Sequence, residues 1–261
     1  MTIILYDIPS TLPDKAWSPM VWKIRWVLSL LSSNVSQSAT LPSSSNRFSL
    51  NLKELPYKTE WVEYPDIETH CRSLGIPPTS QKPDGSPFYT LPAIHDPSTG
   101  VYISDSVKIA AYLEERYPSG RRIFPTGHAG IQIIFEEVLF ENVSPLLALA
   151  FPDFVRKMNA RSGWFMIEKV EAVGSKNRRE DWVKAQEGMG KVAGWYEKNK
   201  EKGPFYFGDR ISWVDIGVAS FLVFFRRSWG EDSEEWGRIC SWDGGRWRNH
   251  SRIFMEFEIV H

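Results

Sequence analysis

The sequence predicts an α/β half over about residues 1–118 and an all-α half over about residues 127–261. Short apolar runs alternate with helical spacing in the order β-α-β-α-β-β-α over residues 2–117. This order joins a crossover unit to a terminal hairpin, which gives a mixed four-stranded sheet flanked by helices. Beyond it, strand patterns stop and helical spacing continues. We therefore expect two domains.

The first strand and the first helix are predicted before residue 30. Residues 2–6 are apolar and β-branched, which is typical of a buried strand. After a loop rich in proline, Ser18-Pro19 has the pattern of an N-cap and a first helical residue, because proline lacks only a donor that would be unpaired there. The following apolar residues keep helical spacing, and Lys23 and Arg25 lie off that face. From about Ser29 the sequence becomes polar and low in complexity, so residues 32–51 are expected to be poorly ordered.

The remaining α/β elements are bounded by glycine and proline. A strand is predicted over residues 57–64, and a short helix follows and ends before Gly75. Residues 88–94 have strand character but contain Pro92, which indicates an edge, a bulge or a special bend. A hairpin partner strand and a helix over residues 104–117 complete this half.

Three helical stretches are predicted in the second half, over residues 128–150, 162–200 and 212–228. Ser212 and Asp215 have the spacing of a capping box at the start of the third stretch. We interpret this box as structural. The tail beyond about residue 230 shows no clear pattern.

Composition argues against several classes of function. A formal net charge of −1 provides no field that would favour nucleic acid or an anionic membrane. Cys71 and Cys240 form neither a disulfide framework nor a Cys-x-x-Cys pair, and the histidines lack metal-ligand spacing. The most apolar stretch, residues 131–151, is interrupted by Glu136 and Pro145, so it does not resemble a membrane span. The start of the chain lacks the features of a signal peptide, and a cytoplasmic location is expected.

Several motifs together resemble the glutathione transferase superfamily. They are Ser18-Pro19 at the first helix, Leu91-Pro92 before a strand, and Asp105-Ser106 opening a helix. The runs from Leu55 to Glu68 and from Lys82 to Ile94 resemble more narrowly the fungal FuA class, which is related to bacterial β-etherases.

The resemblance covers residues 2–28, 53–126 and 203–228. It implies a thioredoxin-like first domain, glutathione as co-substrate, a second-substrate site shaped by the helical domain, and a homodimer with a role in detoxification. Similar proteins connect the first helix directly to the run at Leu55. Residues 29–52 are therefore an atypical insert, which comes either from a class insertion or from a faulty gene model.

Ser18 is the catalytic candidate. The reactive form of glutathione is its thiolate. A hydroxyl that donates to sulfur favours the charged form, and a helix N-terminus acts in the same direction. The resemblance places the sulfur of glutathione near Ser18, and the serine there disfavours thiol-disulfide chemistry.

The resemblance also implies the residues that hold glutathione. A cis bond at Leu91-Pro92 turns the backbone of Leu91 outward, so that an extended peptide pairs with it. Asp105 is expected to hold the γ-glutamyl ammonium, although it is one methylene shorter than the usual Glu. Ser106 and the N–H groups of the helix start are expected to hold the γ-glutamyl carboxylate, and Lys82 the glycyl carboxylate.

The expected reaction is conjugation of glutathione to a small hydrophobic, aromatic electrophile. Most aromatic residues of the helical half are interpreted as core, and a few as pocket lining. Three alternatives stay open: cleavage of β-aryl ethers, binding of aromatic ligands without catalysis, and a structural or regulatory role. The aromatic candidates are Phe135, Phe140, Phe151, Phe154, Trp164 and Phe165.

Overall fold

The computed structural model describes residues 2–31, 55–118, 122–125, 129–198 and 203–261. The predicted disorder of residues 32–51 lies outside the described residues. So does almost all of the insert expected at residues 29–52.

A four-stranded mixed sheet forms the first half, in the order β2-β1-β5-β6. β2 is parallel to β1, and β5 and β6 are antiparallel to their neighbours. A small separate hairpin, β3 with β4, precedes β5. The strands are β1 Ile3–Asp7, β2 Tyr57–Trp61, β3 Ser80–Gln81, β4 Pro87–Phe88, β5 Ala93–Asp96 and β6 Val101–Ser104.

The mixed sheet and the element order were predicted correctly, but the strand expected over residues 88–94 is divided. β4 ends at Phe88 and β5 begins at Ala93. The peptide bond between Leu91 and Pro92 is cis, as expected from the resemblance. The predicted strand at residues 57–64 ends at Trp61 and is followed by a 3₁₀ turn at Tyr64–Asp66.

Three helices accompany the sheet and six form the second half among the described residues. The long helix α4 packs against α6 and α7, and α1 packs against both α3 and α7. The helices are α1 Pro19–Leu31, α2 Ile67–Leu74, α3 Ser106–Arg116, α4 Ala129–Val155, α5 Ala160–Val173, α6 Arg178–Lys198, α7 Trp213–Trp229, α8 Glu234–Ser241 and α9 Arg246–Met255.

Helix α1 is buried around its whole circumference. The sequence placed Lys23 and Arg25 off the apolar face, but both side chains are fully buried because each has a carboxylate partner. Arg25 Nη2 lies 2.7 Å from Asp7 Oδ2, and Lys23 pairs with Glu136 of α4. The helix also continues past Ser29, whose hydroxyl donates to Arg25 O at 3.0 Å.

The predicted capping box closes the start of α7. Asp215 Oδ2 accepts from the backbone N–H and the hydroxyl of Ser212, at 2.9 and 2.7 Å. Asp215 Oδ1 accepts from Tyr196 Oη at 3.0 Å and from Tyr206 N at 2.9 Å. This buried carboxylate therefore fixes three segments of the helical half to one another.

The C-terminal segment is an integral part of the structure, although its sequence showed no clear pattern. In α9, Trp247, His250 and Phe254 are buried. The last residues then run along the outer edge of β2, where Thr59 N donates to His261 O at 2.8 Å. Within the ranges described above, no helix combines the length and the hydrophobicity that crossing a membrane requires.

Candidate functional site

A cleft between the sheet and the helices contains two adjoining chambers, of about 730 and 750 Å³. Met20, Phe140 and Phe221 line both, so the chambers are parts of one cleft. We call the first the apolar chamber; its walls include Trp17, Ser18, Tyr64, Leu91, Leu147 and Phe151. We call the second the acidic chamber; its walls include Asp105, Val107, Lys108, Ile133, Glu136, Glu137 and Glu141.

Ser18 lies at the start of α1 and lines the apolar chamber. Its carbonyl oxygen accepts from Val21 N at 3.1 Å and from Trp22 N at 2.9 Å, as the residue that opens a helix should. Its hydroxyl has no hydrogen-bond partner among the described residues. Thr11, the nearby alternative hydroxyl, donates to Lys157 O at 2.9 Å. The hydroxyl of Ser18 is therefore the one that is available to a ligand.

Leu91, which precedes the cis peptide bond, lines the apolar chamber. Neither its N–H nor its C=O forms a hydrogen bond with any part of the chain that the structure describes. Such a pair of free backbone groups is what an extended peptide needs in order to add to a strand. Pro92 follows behind Leu91 and does not line either chamber.

Asp105 caps α3 and lines the acidic chamber. Its Oδ1 accepts from Val107 N at 3.0 Å and from Lys108 N at 3.1 Å, which leaves Oδ2 for other partners. Its φ of 80° lies in the left-handed region, where a residue with a side chain is strained. The next residue, Ser106, is buried and lines neither chamber.

Lys82 lies apart from both chambers, in the loop that joins β3 to β4. Its ammonium is 3.4 Å from Glu68 Oε2, and both side chains are well exposed. Arg72 also pairs with Glu68, so the carboxylate keeps a cation without Lys82. The structure thus brings Ser18, Leu91 and Asp105 to one cleft and leaves Lys82 outside it.

A charge cluster in the wall of the acidic chamber was missed by the sequence analysis. Glu136 accepts from the ammonium of Lys23 and, at 2.7 Å, from Trp213 Nε1. The Lys23 ammonium lies 5.7 Å from the ring centroids of Trp213 and Phe221. Glu136 appeared in the sequence only as an interruption of an apolar run, because its partners are far away in the chain.

Of the predicted aromatic candidates, Phe140 and Phe151 line the apolar chamber. Tyr64 is a further lining residue that the sequence analysis did not single out. Its ring packs against Phe165 at 5.6 Å, and burial raises the pKa of its phenol. Tyr64 is therefore a neutral phenol at neutral pH, with a hydroxyl that can donate. The other four candidates are core or surface residues: Phe135, Phe154, Trp164 and Phe165.

Comparison with known protein families shows to which family the chain belongs. The N-terminal domain model of the glutathione S-transferases matches residues 43–116, and their C-terminal domain model matches residues 130–257. The chain belongs to the glutathione transferase superfamily. Glutathione is the co-substrate of this family of enzymes. The first match begins at residue 43, inside the segment that we predicted to be an insert.

Solved structures of fungal glutathione transferases resemble the chain over its whole length. A glutathione S-transferase of Ceriporiopsis subvermispora, determined in complex with glutathione, is 34% identical, with a TM-score of 0.86 over 100% of this chain and 99% of that one. Glutathione transferase GSTFuA3 from Phanerochaete chrysosporium is 33% identical, with a TM-score of 0.85 over 100% and 99%. The glutathione S-transferase-like protein ustS of Aspergillus flavus is 27% identical over 93% of this chain and 86% of its own.

Proposed function

We propose that this glutathione transferase conjugates glutathione to small hydrophobic, aromatic electrophiles, with Ser18 activating the thiol. The observation that carries the proposal is the unpartnered hydroxyl of Ser18, which lies at the start of α1 in the apolar chamber. A hydroxyl at a helix N-terminus stabilises an anion by donating a hydrogen bond to it, and the helix dipole adds to that stabilisation. Both effects favour the thiolate of glutathione over its thiol.

Backbone and side-chain groups on the sheet side of the cleft position glutathione. The free N–H and C=O of Leu91 pair with its cysteinyl residue, and Asp105 Oδ2 accepts from its γ-glutamyl ammonium. Ser106 opens α3 beside Asp105 but lines neither chamber, so its proposed contact with the γ-glutamyl carboxylate requires that carboxylate to reach the helix start. The N–H groups of Val107 and Lys108 already donate to Asp105, so they contribute less to this carboxylate than the sequence suggested.

Lys82 can bind glutathione only if its ammonium leaves Glu68. Its ammonium pairs with Glu68 on the protein surface, and it must turn away from that carboxylate to meet the glycyl carboxylate. An exposed ion pair of this kind contributes less than about 1 kcal/mol, so breaking it requires little free energy. We expect a small effect of Lys82 on affinity.

The electrophile occupies the apolar chamber. Its volume of about 730 Å³ lies within the usual range for small-molecule sites. Phe140, Leu147 and Phe151 provide an apolar wall. The polar lining residues are Ser18, Tyr64, Thr90, Ser144 and Asp181. In the reaction, the thiolate forms a bond to an electrophilic carbon, and the leaving group departs with the bonding electron pair. Positioning of the two substrates supplies the remainder of the catalysis.

Product analysis with several substrate classes tests this proposal. The protein is titrated with glutathione by calorimetry and then incubated with aromatic electrophiles and with a β-aryl ether. Mass spectrometry of the products should show glutathione conjugates of the electrophiles. Release of a phenol from the ether alone would instead favour the etherase activity. Stoichiometric binding without any product would indicate a ligand-binding protein. A homodimer, a cytoplasmic location and a role in detoxification remain predictions. Sedimentation equilibrium measures whether the protein is a dimer.

A further inference from the structure

A small cavity of about 190 Å³ lies in the C-terminal part of the chain, between α7, α8 and α9. It shares no described lining residue with either chamber of the cleft. Trp236 and Met255 form apolar walls. The charged and polar lining residues are Arg226, Glu231, Cys240, Arg248, Ser251 and Arg252.

The size of this cavity limits what it can hold. A water molecule occupies about 30 Å³ in the liquid, so the cavity has room for roughly six waters. Sites for drug-sized molecules are larger, about 300–1,000 Å³. The cavity therefore suits one small polar group together with a few waters.

The arginines of the cavity differ in whether a carboxylate already pairs with them. Arg226 donates to both carboxylate oxygens of Glu258, which also pairs with Arg227, and Arg226 lies 4.0 Å from Glu231, so it already has two carboxylate partners. Within the described ranges, Arg248 and Arg252 form no ion pair. They are four residues apart on α9, a spacing at which like charges repel. An anion between them removes that repulsion.

Two further groups face this pair of arginines. Ser251 is 5% exposed and lines the cavity, and its hydroxyl forms no hydrogen bond with the part of the chain that is described. Burial raises the pKa of the Cys240 thiol, and the nearby Arg248 and Arg252 oppose that rise. The thiol therefore stays protonated, and both guanidinium groups are close enough to act on it.

We propose that this cavity binds a small oxyanion group, with Arg248 and Arg252 as charged donors and Ser251 as a hydroxyl donor. Guanidinium groups match the geometry of phosphate and sulfate oxygens. Glu231 also lines the cavity and lies 4.0 Å from Arg226. Its side chain is exposed, as are those of Arg248 and Arg252, so solvent screens all three charges and the buried Ser251 is the least screened of the polar lining groups. All three proposed donors lie on α9.

Titration of the full chain with inorganic phosphate tests this proposal, with potassium chloride at the same ionic strength as the reference. We expect phosphate to raise the melting temperature by several degrees over chloride. Arg248→Gln and Arg252→Gln should each weaken phosphate binding by about tenfold to a hundredfold. Arg179→Gln removes the same charge from an exposed position on α6 and should leave binding unchanged.

Two additional measurements complete the test. Ser251→Ala should weaken phosphate binding less than the arginine variants do, because it removes a neutral donor. Circular dichroism verifies that each variant folds. Phenyl phosphate distinguishes the two sources of the anion: stabilisation by both compounds would support an oxyanion group on a larger molecule, and stabilisation by inorganic phosphate alone would support a free anion. Equal stabilisation by phosphate and chloride would overturn the proposal. So would an equal loss of binding in the Arg179→Gln control.

Discussion

Ser18 and Ser212 each open a helix, but the two positions have different surroundings. The hydroxyl of Ser212 is fully buried and donates to Asp215 three residues later. At the start of α1 the corresponding third residue is Val21, which offers no acceptor, and the hydroxyl of Ser18 lines a chamber instead. The same residue type thus stabilises one helix and is left available for chemistry at the other.

This comparison shows how a capping position becomes a catalytic one. A helix start that has its own carboxylate cannot also favour an external anion, because the carboxylate already occupies the donors. α7 has such a carboxylate, whereas α1 does not. The absence of an acidic side chain at position 21 is therefore as important to our interpretation of Ser18 as the serine itself.

The largest effect on stability is expected from Asp215→Ala. The carboxylate accepts from Ser212, Tyr196 and Tyr206, and its removal leaves these buried donors unsatisfied. Each unsatisfied group costs roughly 1–3 kcal/mol, so we expect a total loss of about 3 kcal/mol or more. Urea unfolding followed by tryptophan fluorescence measures the loss. A change below about 0.5 kcal/mol would show that the cluster is not structural.

A smaller loss of unfolding free energy is expected from Ser212→Ala. Loss of a capping residue typically costs about 0.5–2 kcal/mol. The conjugation rate per folded molecule should stay unchanged, because Ser212 lines neither chamber of the cleft. The matched variant Ser18→Ala should behave in the opposite way, with little change in unfolding free energy and a large loss of rate. Similar losses of stability in both variants would remove the distinction between the two helix starts.

Protonation of His250 should weaken the same cluster at acidic pH. Its Nε2 lies 3.0 Å from Asp215 O; because a carbonyl only accepts, this nitrogen carries a proton. Burial lowers the pKa of His250 in the folded protein, while the nearby Asp215 partly opposes that shift. The unfolded chain then binds the proton more strongly, so stability present above about pH 6.5 is lost as the pH falls.

Melting temperatures at pH 7.5 and pH 5.5 measure this contribution. The difference between the two temperatures should shrink in His250→Asn, which cannot titrate in this range. An unchanged difference in the variant would show that other groups cause the acid sensitivity.

Thr11→Val is expected to have the smallest effect on the conjugation rate. The Thr11 hydroxyl donates to Lys157 O and therefore is not available to the thiol of glutathione. The rate and its pH dependence should match those of the wild type. A loss comparable to that of Ser18→Ala would mean that the two hydroxyls share the role.

Local patterns were sufficient to predict the sheet, the first helix and the capping box. These depend on residues near one another in sequence, as at Ser18-Pro19 and between Ser212 and Asp215. The cis bond at Leu91-Pro92 was expected from the resemblance, since sequence alone shows only a proline within a strand pattern. The resemblance also suggested which residues to test in the cleft.

Contacts between distant residues could not be predicted in this way. The pairing of Lys23 with Glu136 links α1 to α4 across more than 100 positions, so neither residue shows its partner in a local pattern. For the same reason Lys23 and Arg25 were placed off the buried face. The C-terminal segment packs against the sheet through backbone groups such as Thr59 N, which leave no signal in the sequence.

A pH–rate profile of wild type and Ser18→Ala, with one aromatic electrophile at saturating glutathione, tests the central claim most directly. A hydrogen bond to a charged acceptor contributes about 1.5–3 kcal/mol, and about 1.36 kcal/mol equals one pKa unit. The variant should therefore raise the pKa of the bound thiol by on the order of one to two units and slow turnover at neutral pH about tenfold to a hundredfold. Turnover should recover at high pH, where solvent deprotonates the thiol, and glutathione affinity should change little. Profiles with equal midpoints in the two proteins would contradict thiolate stabilisation by Ser18.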